Sequence, residues 1–110
     1  MSLRLEKVNE IIHHKLSQIM VTELEFPQDI LVTITGVRTS PDLKYSKIFI
    51  TVLPDHYRGT VLEILKKNSK NLQQILRKQM TTKFTPNLTF QIDDQEIFAQ
   101  GVEKLLDEIR

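Results

Sequence analysis

The chain has 110 residues, of which 40% are hydrophobic and 26% charged, with a net charge of +1 and no cysteine. This is the composition of an ordinary soluble globule, read as a single domain over residues 1–110 that can bury roughly two thirds of its unfolded surface. Disulfides, thiol catalysis and cysteine-ligated zinc are excluded, and no apolar stretch approaches the roughly 18 residues of a membrane span.

Residues 3–24 read as an amphipathic helix. Leu5, Val8, Ile12, Leu16 and Ile19 recur at spacings of three and four, while Arg4, Glu6, Lys7, Glu10 and Lys15 fall outside that stripe. The opening MSLRLEKVNEIIHHKL is charged throughout. It is not expected to be a signal peptide, which predicts a cytoplasmic protein. Phe26-Pro27-Gln28-Asp29 is a breaker.

Two strands follow. Ile30, Val32 and Ile34 alternate with Leu31, Thr33 and Thr35, and Gly36 in this run suggests a bulge or a close backbone approach. Ser40-Pro41-Asp42 is a turn. Beyond it, Ile48, Ile50 and Val52 alternate with Tyr45, Phe49 and Leu53, so the two runs predict an antiparallel hairpin ended by Pro54-Asp55. Phe49 and Leu53 can be read as core, and Tyr45 and Phe49 as platforms for stacked bases.

Helical spacing returns with Val61, Ile64 and Leu65, and again with Leu72, Ile75, Leu76 and Met80. Asn68-Ser69 separates the two sets. One straight helix over both would overshoot strands of about 17–20 Å, so a bend is predicted at residues 68–71. Leu88, Phe90 and Ile92 alternate as a third strand, and Phe98, Val102, Leu105, Leu106 and Ile109 stripe a last helix. The predicted order is α-β-β-α-α-β-α, an α+β domain with helices on one face of the sheet. A helical crossover before the third strand permits parallel pairing, so the sheet should be mixed.

Charge is unevenly placed. Residues 66–84 hold six cations (Lys66, Lys67, Lys70, Arg77, Lys78 and Lys83) and no anion, whereas residues 93–110 hold six anions and two cations. Such a dipolar chain can orient on a polyanion without being globally basic. A solvated helix face is the plain alternative, but exposed helices usually interleave acids at i+4, and none occurs here. A bend at Asn68-Ser69 would also free helix N-terminal N–H groups for a phosphate. Phosphate contacts are therefore assigned to these six cations, and hydrogen bonds to Asn68, Ser69 and Asn71. Arg38, Lys44 and Lys47 extend the set along the hairpin.

Other chemistry finds no support. His13 and His14 are adjacent and diverge by about 100° on a helix, so they cannot share a metal. Asp93, Asp94 and Glu96 precede a predicted helix, where acids favour its N-terminal dipole. No nucleophile–base order or phosphate-cradling glycine loop occurs. No enzyme activity, metal, cofactor or small-molecule substrate is expected.

The hairpin VTITGVRTSPDLKYSKIFITVLPD carries a resemblance. It is similar to the ribosome-binding factor A family at Val37, Ser40, Asp42, Leu43, Tyr45, Lys47, Phe49 and Ile50, with Ser46 where Ala is common. Residues 4–20, TPNLTFQIDD and EKLLDEI resemble the family's first helix, third strand and last helix. The resemblance implies a type II KH-like domain. It also implies binding to 16S rRNA and the immature small (30S) ribosomal subunit as a monomer, and help in rRNA maturation. The family usually places Ala-x-Gly at the junction of the second and third helices. Asn68-Ser69-Lys70 stands there instead, which argues against a backbone approach as close as glycine allows. A KH-like protein-interaction module without direct RNA binding is the other reading, because fold alone does not fix function.

Overall fold

The computed structural model describes residues 3–80 and 85–93. Its elements are α1 (Leu3–Glu23), β1 (Leu31–Thr39), β2 (Tyr45–Leu53), a short 3₁₀ turn (Asp55–Tyr57), α2 (Arg58–Gln79) and β3 (Asn87–Ile92). The sheet order is β1-β2-β3, with β1 antiparallel and β3 parallel to the central β2. The mixed α+β sheet is therefore present. The predicted last helix lies outside the described residues.

Alternation in β2 fixes the two faces. Ser46, Ile48, Ile50 and Val52 are buried beneath the helices, while Tyr45, Lys47 and Leu53 are exposed on the other side. α1 covers β1 and α2 covers β3. Val8, Ile12, Leu16, Ile19 and Met20 of α1 meet Val61, Leu65, Leu72 and Leu76 of α2 over Ile34, Ile48, Ile50 and Val52. The predicted core positions lie in this layer or pack against its edge, except Leu5 near the start of α1, which is only half-buried and outside the core cluster. Phe49 and Leu53 do not join it: they lie on the face that neither helix covers, and Leu53 is 56% exposed.

Gly36 marks a bulge, as its place in the strand suggested. Ile34 pairs with Ile50, and the next pair is Gly36 with Phe49, so Thr35 is the extra residue. The consequence is one of parity. Val32 and Ile34 face the core before the bulge, and Val37 and Thr39 face it afterwards. Without the extra residue, Arg38 would fall opposite fully buried Ser46. With it, Arg38 pairs with Lys47 on the uncovered face.

The turn absorbs the polar residues of the hairpin motif. Ser40 Oγ donates to Asp42 Oδ1 at 2.6 Å, and the Lys44 N–H donates to the same oxygen at 3.1 Å. The Ser40 hydroxyl, then the Lys44 N–H, hold the Asp42 carboxyl below its usual range.

A buried polar chain ties the hairpin to α1. Thr39 Oγ1 donates to Asn9 Oδ1 at 2.6 Å, so its single proton is committed, and Ser46 Oγ must donate across their 2.8 Å contact. Thr39→Val strands both the Ser46 hydroxyl and the Asn9 oxygen, and is expected to cost about 1–3 kcal/mol. Ser46→Ala leaves the Asn9 bond intact and should cost less. Urea unfolding of the two variants checks the ranking; equal losses would show that the chain does not run in this direction.

Candidate nucleic-acid interface

α2 is continuous from Arg58 to Gln79, so the predicted bend at Asn68-Ser69 is absent, and with it the anion-binding helix N-terminus. Two physical reasons explain the difference. β1 and β2 have nine residues each and span about 30 Å, close to the roughly 33 Å of a 22-residue helix, so nothing overshoots. The polar pair also hydrogen-bonds within the helix instead of ending it. Asn68 Nδ2 donates to the Ile64 carbonyl at 2.7 Å, and Ser69 Oγ to the Lys66 carbonyl at 3.1 Å. Both side chains are half-buried on the flanks of the Val61/Leu65/Leu72/Leu76 stripe. Ser69→Ala is therefore expected to leave thermal stability unchanged or raise it by about 0.5 kcal/mol through helix propensity. A loss near 1 kcal/mol, the usual cost of a removed cap, would restore the bend.

The unbroken helix sorts the cations into rows. Lys66, Lys70 and Arg77 lie at i, i+4 and i+11, and Gln73 completes that row at i+7. This row borders β3. Lys66 and Ser69 line a groove of about 340 Å³ with Leu62, Leu88, Thr89 and Phe90. Gln73 Nε2 donates to the Thr85 carbonyl at 3.2 Å. Lys67, Asn71 and Lys78 form a second row about 100° around the helix. All of these cations, and Asn71, are exposed, and none forms an ion pair with a described residue. Lys83 lies outside the described residues.

The hairpin cations form a separate set. Arg38 and Lys47 stand directly opposite each other, a like-charge pairing that is unfavourable in the free protein. The Arg38 guanidinium carbon lies 6.0 Å from the centre of the Phe49 ring. They line a cavity of about 390 Å³ with Thr35, Gly36, Phe49 and Gln91, whose far end holds Asp93, hydrogen-bonded by Thr35 Oγ1 at 2.7 Å. Lys44 is exposed in the turn, and its carbonyl accepts the Asn87 N–H at 2.9 Å.

Thr89 joins the two sets. It lines the α2 groove beside Lys66, and it also lines the cavity that holds Arg38, Tyr45 and Lys47. β3 is an edge strand, so its free edge is flanked by cations on both sides. Leu62, Thr89, Phe90 and Gln91, which contribute these walls, drew no notice as site residues from sequence. Only the polar positions alternating with Leu88, Phe90 and Ile92 hinted at them.

The family model for ribosome-binding factor A matches residues 4–106. The chain belongs to the ribosome-binding factor A family. It is 32% identical over 107 residues to ribosome-binding factor A of Geobacter metallireducens, covering 96% of this chain and 91% of that protein. With the protein of Desulforamulus reducens it shares 31% over 110 residues, covering 99% and 92%. The crystal structure of ribosome-binding factor A from Thermus thermophilus superposes with a TM-score of 0.68 at 18% identity, covering 80% of this chain and 94% of that one. A Thermus thermophilus homology model fitted into the cryo-electron microscopy map of a 30S complex gives 0.62 at 18%, covering 84% and 93%. At these identities the structural matches establish the fold, which is KH-like. Within ribosome-binding factor A, then, this chain carries its cations on an uninterrupted helix.

Proposed function

We propose that this chain is a non-enzymatic assembly factor that binds the immature small ribosomal subunit through 16S rRNA and assists rRNA maturation. It acts as a cytoplasmic monomer. The observation that carries the reading is the pair of cation sets on either side of the β3 edge, without ion-pair partners among the described residues. Lys66, Lys70 and Arg77 take phosphates along one side, and Arg38 and Lys47 take an anion on the other, which relieves their cross-strand repulsion. Phosphate contacts position a protein without reading sequence, so selectivity rests on the shape of an rRNA junction that can straddle an edge strand. Membership of the family and the 30S complex of the Thermus thermophilus relative support this reading.

Sucrose-gradient fractionation of lysate, with detection of the protein, is the test. Co-migration with free small-subunit particles is expected. Migration only with polysomes, or with no ribosomal particle, would overturn the reading.

A further inference from the structure

The side of the molecule away from α2 has a different chemistry. β1 is the other edge strand. A groove of about 390 Å³ runs between its first residues and the C-terminal half of α1. Met20, Val21 and Leu24 form one wall and residues 30–34 the other, and no lining residue is Asp, Glu, Lys or Arg. Val21 is 81% exposed and Leu31 60%. Free edges are normally guarded by Lys, Pro, a bulge or an inward charge. On β1 those guards, the Thr35 bulge and Arg38, sit in the second half of the strand, and residues 31–34 have none among the described residues.

The chain around the groove is acidic. Glu23, Glu25 and Asp29 are exposed and adjoin the lining residues Leu24, Phe26 and Ile30 in sequence, and there is no Lys or Arg between Lys15 and Arg38. A phosphate backbone would be repelled here. A second copy presenting the same groove would bring the same three carboxylates. We infer that the β1 edge and this groove dock a basic, extended polypeptide segment. The segment adds to β1 as a strand, sets alternate apolar side chains against Val21 and Leu24, and carries cations that reach the three acids. Main-chain bonding supplies affinity and the three acids supply the preference for a cationic partner.

The inference is independent of the rRNA reading and is tested on the free 110-residue chain. The chain is titrated, with amide chemical shifts as the readout, with a short peptide alternating Val and Lys. The same peptide with Glu for Lys and a single-stranded oligoribonucleotide are titrated in parallel. Only the Val/Lys peptide is expected to shift the amides of residues 31–34, and Val21→Lys, at a highly exposed position, should weaken that binding about tenfold. Equal binding of the Glu peptide, β1 shifts caused by the RNA, or no β1 shift with the Lys peptide would each overturn the inference. Concentration-dependent β1 shifts without peptide would do so too, by pointing to self-association.

Discussion

Lys66→Glu combined with Lys70→Glu is expected to weaken binding to small-subunit rRNA about 100-fold while leaving thermal unfolding unchanged. Each lysine donates a charge-assisted contact worth about 1.5 kcal/mol at the low end, and two such losses are about 3 kcal/mol. Both side chains are exposed and clear of the buried Val61/Leu65/Leu72/Leu76 stripe, so the fold has no stake in them. The same experiment carries its own check through salt. If about four cations meet phosphates, the logarithm of the wild-type binding constant should fall against log salt with a slope of about −3 to −4, and the double variant should lose about two from that slope. An unchanged slope, or a drop of several degrees in melting temperature, would mean that these lysines do not do what the geometry implies.

Leu65→Ala and Ile50→Ala are each expected to cost about 2–5 kcal/mol. Both side chains are completely excluded from solvent. Ile50 sits in the central strand between Ile34 and Ile92, and Leu65 packs near the middle of α2, where the helix crosses the sheet. Domains of this size are stable by about 5–15 kcal/mol in total, so either variant should approach the threshold of unfolding at physiological temperature. Denaturant melts would show a lowered midpoint with an unchanged slope. A loss below 1 kcal/mol would contradict the burial.

How much of this was legible in the sequence depended on whether a signal was local. The stripe of α1 and the alternation of β2 identify their buried faces directly, because each periodicity is set by its own backbone. The Asn68-Ser69 interruption misleads for a different reason. Polar residues on a stripe look the same whether they end a helix or bond back to its preceding turn, and only the length of the opposing strands separates the two. The facing of Arg38 was likewise out of reach. One extra residue at Thr35 inverts every position after it, and Gly36 flags the bulge without saying which residue is added. The run of cations was plain, but their division into rows follows from helical continuity, and the role of Thr89 as a shared wall follows from strand order.

The uninterrupted α2 has a further consequence, for the kinetics and thermodynamics of association. From Lys66 to Arg77 the array extends about 17 Å along one rigid element, with no segment that must order when a target arrives. Binding through it should therefore proceed as a rigid encounter, with an association rate that falls steeply with ionic strength. The heat-capacity change should be small, because little apolar surface is newly buried and no helix forms. A target backbone that bends within that span would lose contacts at one end, with no hinge in α2 to recover them.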